Sequence, residues 1–287
     1  MLRPTPDHVD LLVLGAGWTG DFLLPLLDRK KISYAATTTD GRNGTIPFRY
    51  DPDSNEEGQF KRLPSAVTVV ITFPLKGTGQ SKHLTSFYEK THQGSRPQYV
   101  QLGATSIWKG AGWQDDNSPY DTANARAIAE DELMQVANGA VLDLAGLYGG
   151  ARQPRNWVDR IVKTKPDLKA KGALHLIHGE DVARAILAIH HTFTPAKRWL
   201  LCDLHTYDWW DLVQDWASKL LREAELGTSQ IDEAEVSKQK QLQTWVGELM
   251  EEEGVRALPR DTALLGRVLD GRAFWKKMGI WPSQGRV

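Results

Sequence analysis

Apolar residues in this chain fall into short continuous runs, separated by stretches with a helical period. Residues 11–14 form the first run, and residues 33–38 read as a second, short strand. Residues 67–73, 99–103 and 140–144 follow the same pattern, which marks strands buried on both faces. Between the runs, residues 21–27, 80–90 and 119–136 carry apolar positions at helical spacing. This alternation predicts a parallel sheet covered by helices on both faces. From Gly149 the rhythm loosens. Residues 156–163 read as a helix, 175–178 as a short strand, 181–191 as a helix, 199–203 as a strand and 207–225 as a helix. Residues 229–253, rich in Glu, Lys and Gln, predict a solvated helix with one packed face. The chain shows no internal repeat and no long linker. The predicted organisation is a doubly wound α/β domain over residues 1–150, completed by strands from 173–203. Residues 151–287 form mainly a small lobe and C-terminal helices.

Composition narrows this little. Of 287 residues, 41% are hydrophobic and 25% charged, as in ordinary globular proteins. A net charge of −1 offers no bulk attraction to nucleic acid or to a membrane surface. The only cysteine, Cys202, excludes an internal disulfide and fits a reducing compartment. No apolar run approaches the roughly 20 residues of a membrane span, and residues 1–10 lack the apolar core of a signal peptide. The expectation is a cytoplasmic protein. Most of the eleven tryptophans are expected to be packing anchors.

The first run ends in Gly15-Ala16-Gly17-Trp18-Thr19-Gly20, a G-x-G-x-x-G turn followed at once by a helix. In that order Gly15 permits the turn, Gly17 lets the backbone approach a pyrophosphate, and Gly20 lets helix and strand pack closely. The helix N-terminus, at Trp18 and Thr19, then presents free N–H groups to the phosphates. This predicts a dinucleotide site. Ligands of such sheets bind at the carboxyl ends of the strands, which here carry Gly15, Thr37, Phe73, Gly103 to Ser106, and Gly146 to Tyr148. The candidate cofactor residues are therefore Gly15, Gly17, Trp18, Thr19, Gly20, Thr37, Thr38, Arg42, Phe73, Gly103 and Tyr148.

The tip of the second strand reads Thr37-Thr38-Thr39-Asp40-Gly41-Arg42. Hydroxyls and a guanidinium suit a 2′-phosphate, which favours NADP over NAD. Asp40 is the opposing signal, because a carboxylate there suits the ribose diol of NAD. His175 and His178, three apart on a strand, point to opposite faces, so no metal site is expected. Trp108, Lys109 and Trp113 follow Ser106 on one loop and are candidates for a pocket wall.

The glycine turn, Gly103-Ala104-Thr105-Ser106, Gly146-Leu147-Tyr148-Gly149 and His178-Gly179-Glu180-Asp181-Val182-Ala183-Arg184-Ala185-Ile186 stand in an order that resembles the extended short-chain dehydrogenases. This is the NAD(P)-dependent epimerase/dehydratase superfamily, and the details are most similar to an atypical branch of it. The resemblance covers residues 11 to about 221. It implies a Rossmann-type domain, a small substrate lobe, bound NAD or NADP, and a small carbonyl or sugar-like substrate. It also implies a catalytic Ser, which Ser106 matches, and a Tyr-x-x-x-Lys pair on the next helix. Aligned on the acidic end of that helix, Asn124 and Ile128 stand at the Tyr and Lys positions. Aligned on Tyr120, the Lys position is Asn124. Neither register supplies the pair, and Asn cannot act as a proton-transfer acid near neutral pH. The candidate catalytic residues are then Ser106, Tyr120 and Asn124, with Lys109 as a nearby charge. Two outcomes follow: an oxidoreductase or epimerase with an altered acid/base set, or a catalytically silent cofactor-binding sensor or scaffold. Dimers implied by the resemblance pair the helices at 80–90 and 119–136. The first is rather polar, so a monomer or weak homodimer is expected.

Overall fold

A computed structural model describes residues 7–228 and 232–287. Residues 1–6, and residues 229–231 at the start of the last long predicted helix, lie outside the described residues. Seven strands form the central sheet: β1 (His8–Leu14), β2 (Tyr34–Thr38), β3 (Ile46–Pro47), β4 (Ser65–Ile71), β5 (Gln98–Ala104), β6 (Ala140–Leu144) and β7 (Arg198–Leu201). They pair in parallel in the order β7-β6-β5-β4-β1-β2-β3. The order reverses between β1 and β4, which makes the sheet doubly wound and places a crevice at their carboxyl ends.

Among the described residues, seven longer helices accompany the sheet: α1 (Gly17–Lys30), α2 (Gln80–Thr91), α3 (Ala125–Ala137), α4 (Gly179–His191), α5 (Trp209–Glu225), α6 (Glu233–Glu252) and α7 (Arg272–Met278). Successive residues of β1 serve opposite faces. Leu11 and Val13 join Leu23 and Leu27 of α1 and Ile186 and Ile189 of α4. Leu12 and Leu14 join Leu84 of α2 and Leu133 of α3. All of these are fully buried, and each contributes about 1.5–3 kcal/mol relative to exposure. Two-sided burial is why the strands read as unbroken apolar runs.

Side-chain caps fix where the helices begin. The Asn124 side chain accepts the Arg126 N–H at 2.9 Å, so α3 starts at Ala125 rather than at 119. His178 Nδ1 accepts the Glu180 N–H and starts α4, and Asp208 accepts the Trp210 N–H and starts α5. The predicted helix at 156–163 shrinks to a 3-10 turn, Pro154–Trp157, and one α turn, Val158–Ile161.

The lobe is stitched by short strand pairs. Gly146–Tyr148 pairs with Leu176–His178, Ala173–Leu174 with Tyr207–Asp208, and Gly112–Gln114 with Arg267–Leu269. Of the strands predicted between 173 and 203, only Arg198–Leu201 joins the central sheet. His175 pins this region. Its ring is buried, with Nδ1 toward the His205 carbonyl at 3.2 Å and Nε2 accepting the Leu269 N–H at 3.1 Å. Helices α5 and α6 pack Trp209, Trp210 and Val213 against Leu242, Val246 and Leu249. The fully buried Asp181 carboxylate accepts the Ser283 N–H at 2.9 Å and its hydroxyl at 2.8 Å, which fastens the last described segment to the start of α4. No helix among the described residues is long and apolar enough to cross a membrane.

Candidate functional site

The glycine turn lies at the switch point, between β1 and α1. Gly15 has φ +83°, and its N–H donates to the Thr37 hydroxyl at 2.8 Å. A Cβ at Gly15 would stand 2.9 Å from a Phe73 ring carbon, so this turn admits glycine alone. A Cβ at Gly17 would meet nothing within 4 Å, so this residue opens onto free space. At Gly20 the missing Cβ clears the Ala16 Cβ, 2.7 Å away. The clearance is needed inside the first turn and not against the strand. Ala16 offers no side-chain cap, and the first turn of α1 holds no acid. Its orphan N–H groups and the positive end of the helix dipole therefore face a cleft of about 380 Å³, bordered by Gly17, Trp18, Asp21, Thr38, Arg42 and Asn43.

The β2 tip is already organised. Thr37 is fully buried and its hydroxyl is committed to Gly15. The Thr38 hydroxyl donates to Asp40 at 3.0 Å and also meets the Thr45 hydroxyl and the Gly41 N–H. That donated hydrogen bond holds the Asp40 carboxyl below the ordinary range. Arg42 pairs with Asp40 at 3.2 Å, and both are more than half exposed. Thr19 is buried in the first turn of α1, and the Trp18 indole N–H donates to the Gly149 carbonyl at 3.1 Å.

The tips of β4 to β6 carry the remaining candidates. Phe73 stacks on Tyr50, with ring centroids 5.7 Å apart. Tyr148 is buried, with its ring edge on His178 and its hydroxyl donating to the Gly285 carbonyl at 3.4 Å. Ser106 is exposed, on the 3-10 turn Thr105–Ile107. Gly103 is buried beneath this surface, where a Cβ would lie 2.0 Å from Asp143 Oδ1 and 2.6 Å from Glu130 Oε1. Its lack of a side chain makes room for a buried charge cluster.

That cluster is the feature sequence reasoning missed. Arg198 Nη1 donates to Glu130 at 2.5 Å and to Asp143 at 2.6 Å, and Nη2 donates to Asp131 at 2.9 Å. Arg198, Glu130 and Asp143 are all buried. Burial, with Glu130 beside it, pushes the Asp143 carboxyl up to about 8. The one signal in the sequence was an acid inside the apolar run of β6.

Tyr120 belongs to this cluster. Its hydroxyl donates to Asp131 at 2.7 Å and the Arg198 guanidinium lies 4.6 Å above its ring. Burial first, and then the Asp131 bond, raises the hydroxyl above the ordinary phenol value. Tyr120 precedes α3 and is not part of it, and Asn124 is occupied as that helix's cap. Lys109 is paired with Asp121. Trp108 is fully buried, with its indole N–H on the Ser118 carbonyl, whereas Trp113 is 61% exposed. The structure thus places Gly17, Trp18, Gly20, Thr38 and Arg42 of the cofactor candidates on one cleft. Thr37, Gly103 and Tyr148 are buried outside that lining, Ser106 is open at a strand tip, and Tyr120 is drawn into a structural network.

No family model and no curated protein matches this chain. Solved structures do. A conserved protein of unknown function from Silicibacter pomeroyi is 16% identical with a TM-score of 0.63, over 96% of this chain and 94% of its own. Vestitone reductase from alfalfa is 14% identical with a TM-score of 0.62, over 96% and 94%. A human epimerase family protein solved with NADPH is 13% identical with a TM-score of 0.57, over 96% and 95%. At these identities the likeness shows the fold, a Rossmann-type α/β sheet with flanking helices. It is the fold that the motif order implied.

Proposed function

We propose that this chain binds a pyridine dinucleotide at the N-terminus of α1, NADP in preference to NAD. We further propose that it acts as an oxidoreductase or epimerase-like enzyme on a small carbonyl or sugar-like substrate, without a Tyr–Lys pair. The observation that carries the first half is the uncapped start of α1 beneath Gly17, where a Cβ would meet open space. An N-terminus in this position is built to receive phosphate. The preference for NADP rests on Arg42 at the rim of that cleft. A 2′-phosphate would compete for the guanidinium with Asp40, an exposed partner that water already screens. The bound cofactor would supply the hydride. Ser106 is the exposed hydroxyl at the carboxyl end of β5 and would orient a substrate oxygen.

Calorimetric titration with NADPH and NADH tests this reading. We expect NADPH to bind more tightly, Gly17→Val to abolish both, and Arg42→Ala to weaken NADPH while sparing NADH. Unchanged affinity in a folded Gly17→Val variant overturns the site, and a native preference for NADH overturns the cofactor choice. A second reading, a silent cofactor-binding sensor, is favoured by one observation: the polar groups of Tyr120, Asn124 and Lys109 all have structural partners. A screen of carbonyl and sugar substrates with bound NADPH separates the two. Turnover that falls in Ser106→Ala supports the enzyme, and firm binding without turnover supports the sensor.

A further inference from the structure

We propose that Arg152 is a cationic clamp for the diphosphate of the cofactor, held ready by Trp18 at the mouth of the glycine turn. This rests on the reading of the α1 N-terminus as a dinucleotide site. Gly149 at φ +111° and Gly150 at φ +57° fold residues 149–152 into a tight turn. Two reciprocal bonds close it: the Gly149 N–H donates to the Arg152 carbonyl at 2.9 Å, and the Arg152 N–H donates to the Gly149 carbonyl at 3.1 Å. The Trp18 indole N–H reaches that same Gly149 carbonyl at 3.1 Å, so the turn is stapled to the first turn of α1. The indole face carries the Arg152 guanidinium, with Cζ 4.5 Å from the ring centroid. Phe22, one helical turn on, backs the indole edge-on at 4.9 Å.

A unit positive charge is thereby stacked on a residue of the uncapped helix start. Stacking uses the face of a guanidinium and leaves its in-plane N–H donors free for a bidentate bond to phosphate. Arg152 is exposed, and among the described residues its guanidinium has one partner, the Trp18 ring. Arg42, the arginine that lines the cleft, is paired with Asp40. A helix N-terminus supplies only about half a positive charge, whereas a diphosphate carries two negative ones, so a guanidinium at this position would offset most of the remainder. The two arginines then divide the cofactor: Arg42 serves the 2′-phosphate and Arg152 the diphosphate.

The test compares NADPH with adenosine 2′-monophosphate, which lacks the diphosphate, by titration of the wild type, Arg152→Gln and Arg152→Lys. Thermal melts confirm that each exposed-site variant is folded. Arg152→Gln is expected to weaken NADPH about tenfold, the effect of losing one charged bidentate contact, and to leave adenosine 2′-monophosphate unchanged. The dependence of NADPH affinity on salt should flatten in the same variant, and Arg152→Lys should restore part of the affinity. NADPH binding within twofold of wild type in Arg152→Gln overturns the clamp, as does an equal loss for both ligands. A wild type that binds neither NADPH nor NADH overturns the underlying dinucleotide reading instead.

Discussion

The two sides of the switch point are built in opposite ways. On the β1–β2 side, polar groups are left facing outward: the first turn of α1 has no cap, Gly17 opens onto space, and the Arg42–Asp40 pair is exposed. On the β5–β7 side, polar groups are turned inward. Arg198 is enclosed by Glu130, Asp143 and Asp131, Tyr120 is bonded to Asp131, and Asn124 caps its helix. An orphan N–H at a surface costs little because water satisfies it, and it stays available to a ligand. A buried arginine must be satisfied permanently by its neighbours. The same sheet therefore leaves an open polar edge on one side and a structural anchor on the other, where the resemblance places the usual proton-transfer pair.

If the anchor is structural, its loss should show first in stability. Arg198→Ala leaves buried carboxylates unpaired and should cost about 3–5 kcal/mol in urea unfolding. A loss below about 1 kcal/mol would place the cluster among weak surface pairs and dissolve the contrast. The next largest effect concerns pH. Burial pushes the His175 ring down to about 4, against an unfolded value near 6.5. Between these values the unfolded chain binds more protons, so stability is lost as pH falls through that window, by roughly 2–4 kcal/mol in all. Melting temperatures measured from pH 7 to pH 4 should show this, and His175→Gln should flatten the curve. A curve of unchanged slope in that variant would assign the acid sensitivity elsewhere.

Smaller effects separate Tyr120 from Asn124. Tyr120→Phe removes one bond to a partly exposed carboxylate and should cost about 1 kcal/mol. Asn124→Ala removes a helix cap and should cost about 1 kcal/mol or somewhat less. Both variants should keep their NADPH affinity. If Tyr120→Phe instead abolishes turnover at unchanged stability, then the β5–β7 side is an acid/base site after all.

The strand, glycine turn and helix of the open edge were legible because their signals are local. The glycine spacing, the run before it and the helix after it occupy fewer residues than one βα unit, and local sterics decide each of them. The anchor was not legible, because Arg198 and Glu130 lie 68 residues apart and nothing near either one announces the other. The early start predicted for α3 had the same cause. An apolar period marks a helix face, but the start was set by the Asn124 cap, and residues 119–123 carried apolar positions for tertiary reasons, with Tyr120 packed on Trp108. The pairing of Gly112–Gln114 with Arg267–Leu269 is also long-range, and three-residue strands leave no period to read.

The Asn124 cap bears on how this chain could change over time. A Tyr-x-x-x-Lys pair works because positions four apart share one face of a helix. Position 124 has φ −65° and ψ 127°, which is extended backbone, and the helix begins only at the next residue. Asn124→Tyr with Ile128→Lys would spell the pair again, yet it would remove the cap and leave the phenol outside the helix. The step at position 124 would be destabilising before the pair could form, so the chain stands two substitutions from that motif in spelling and considerably further in structure.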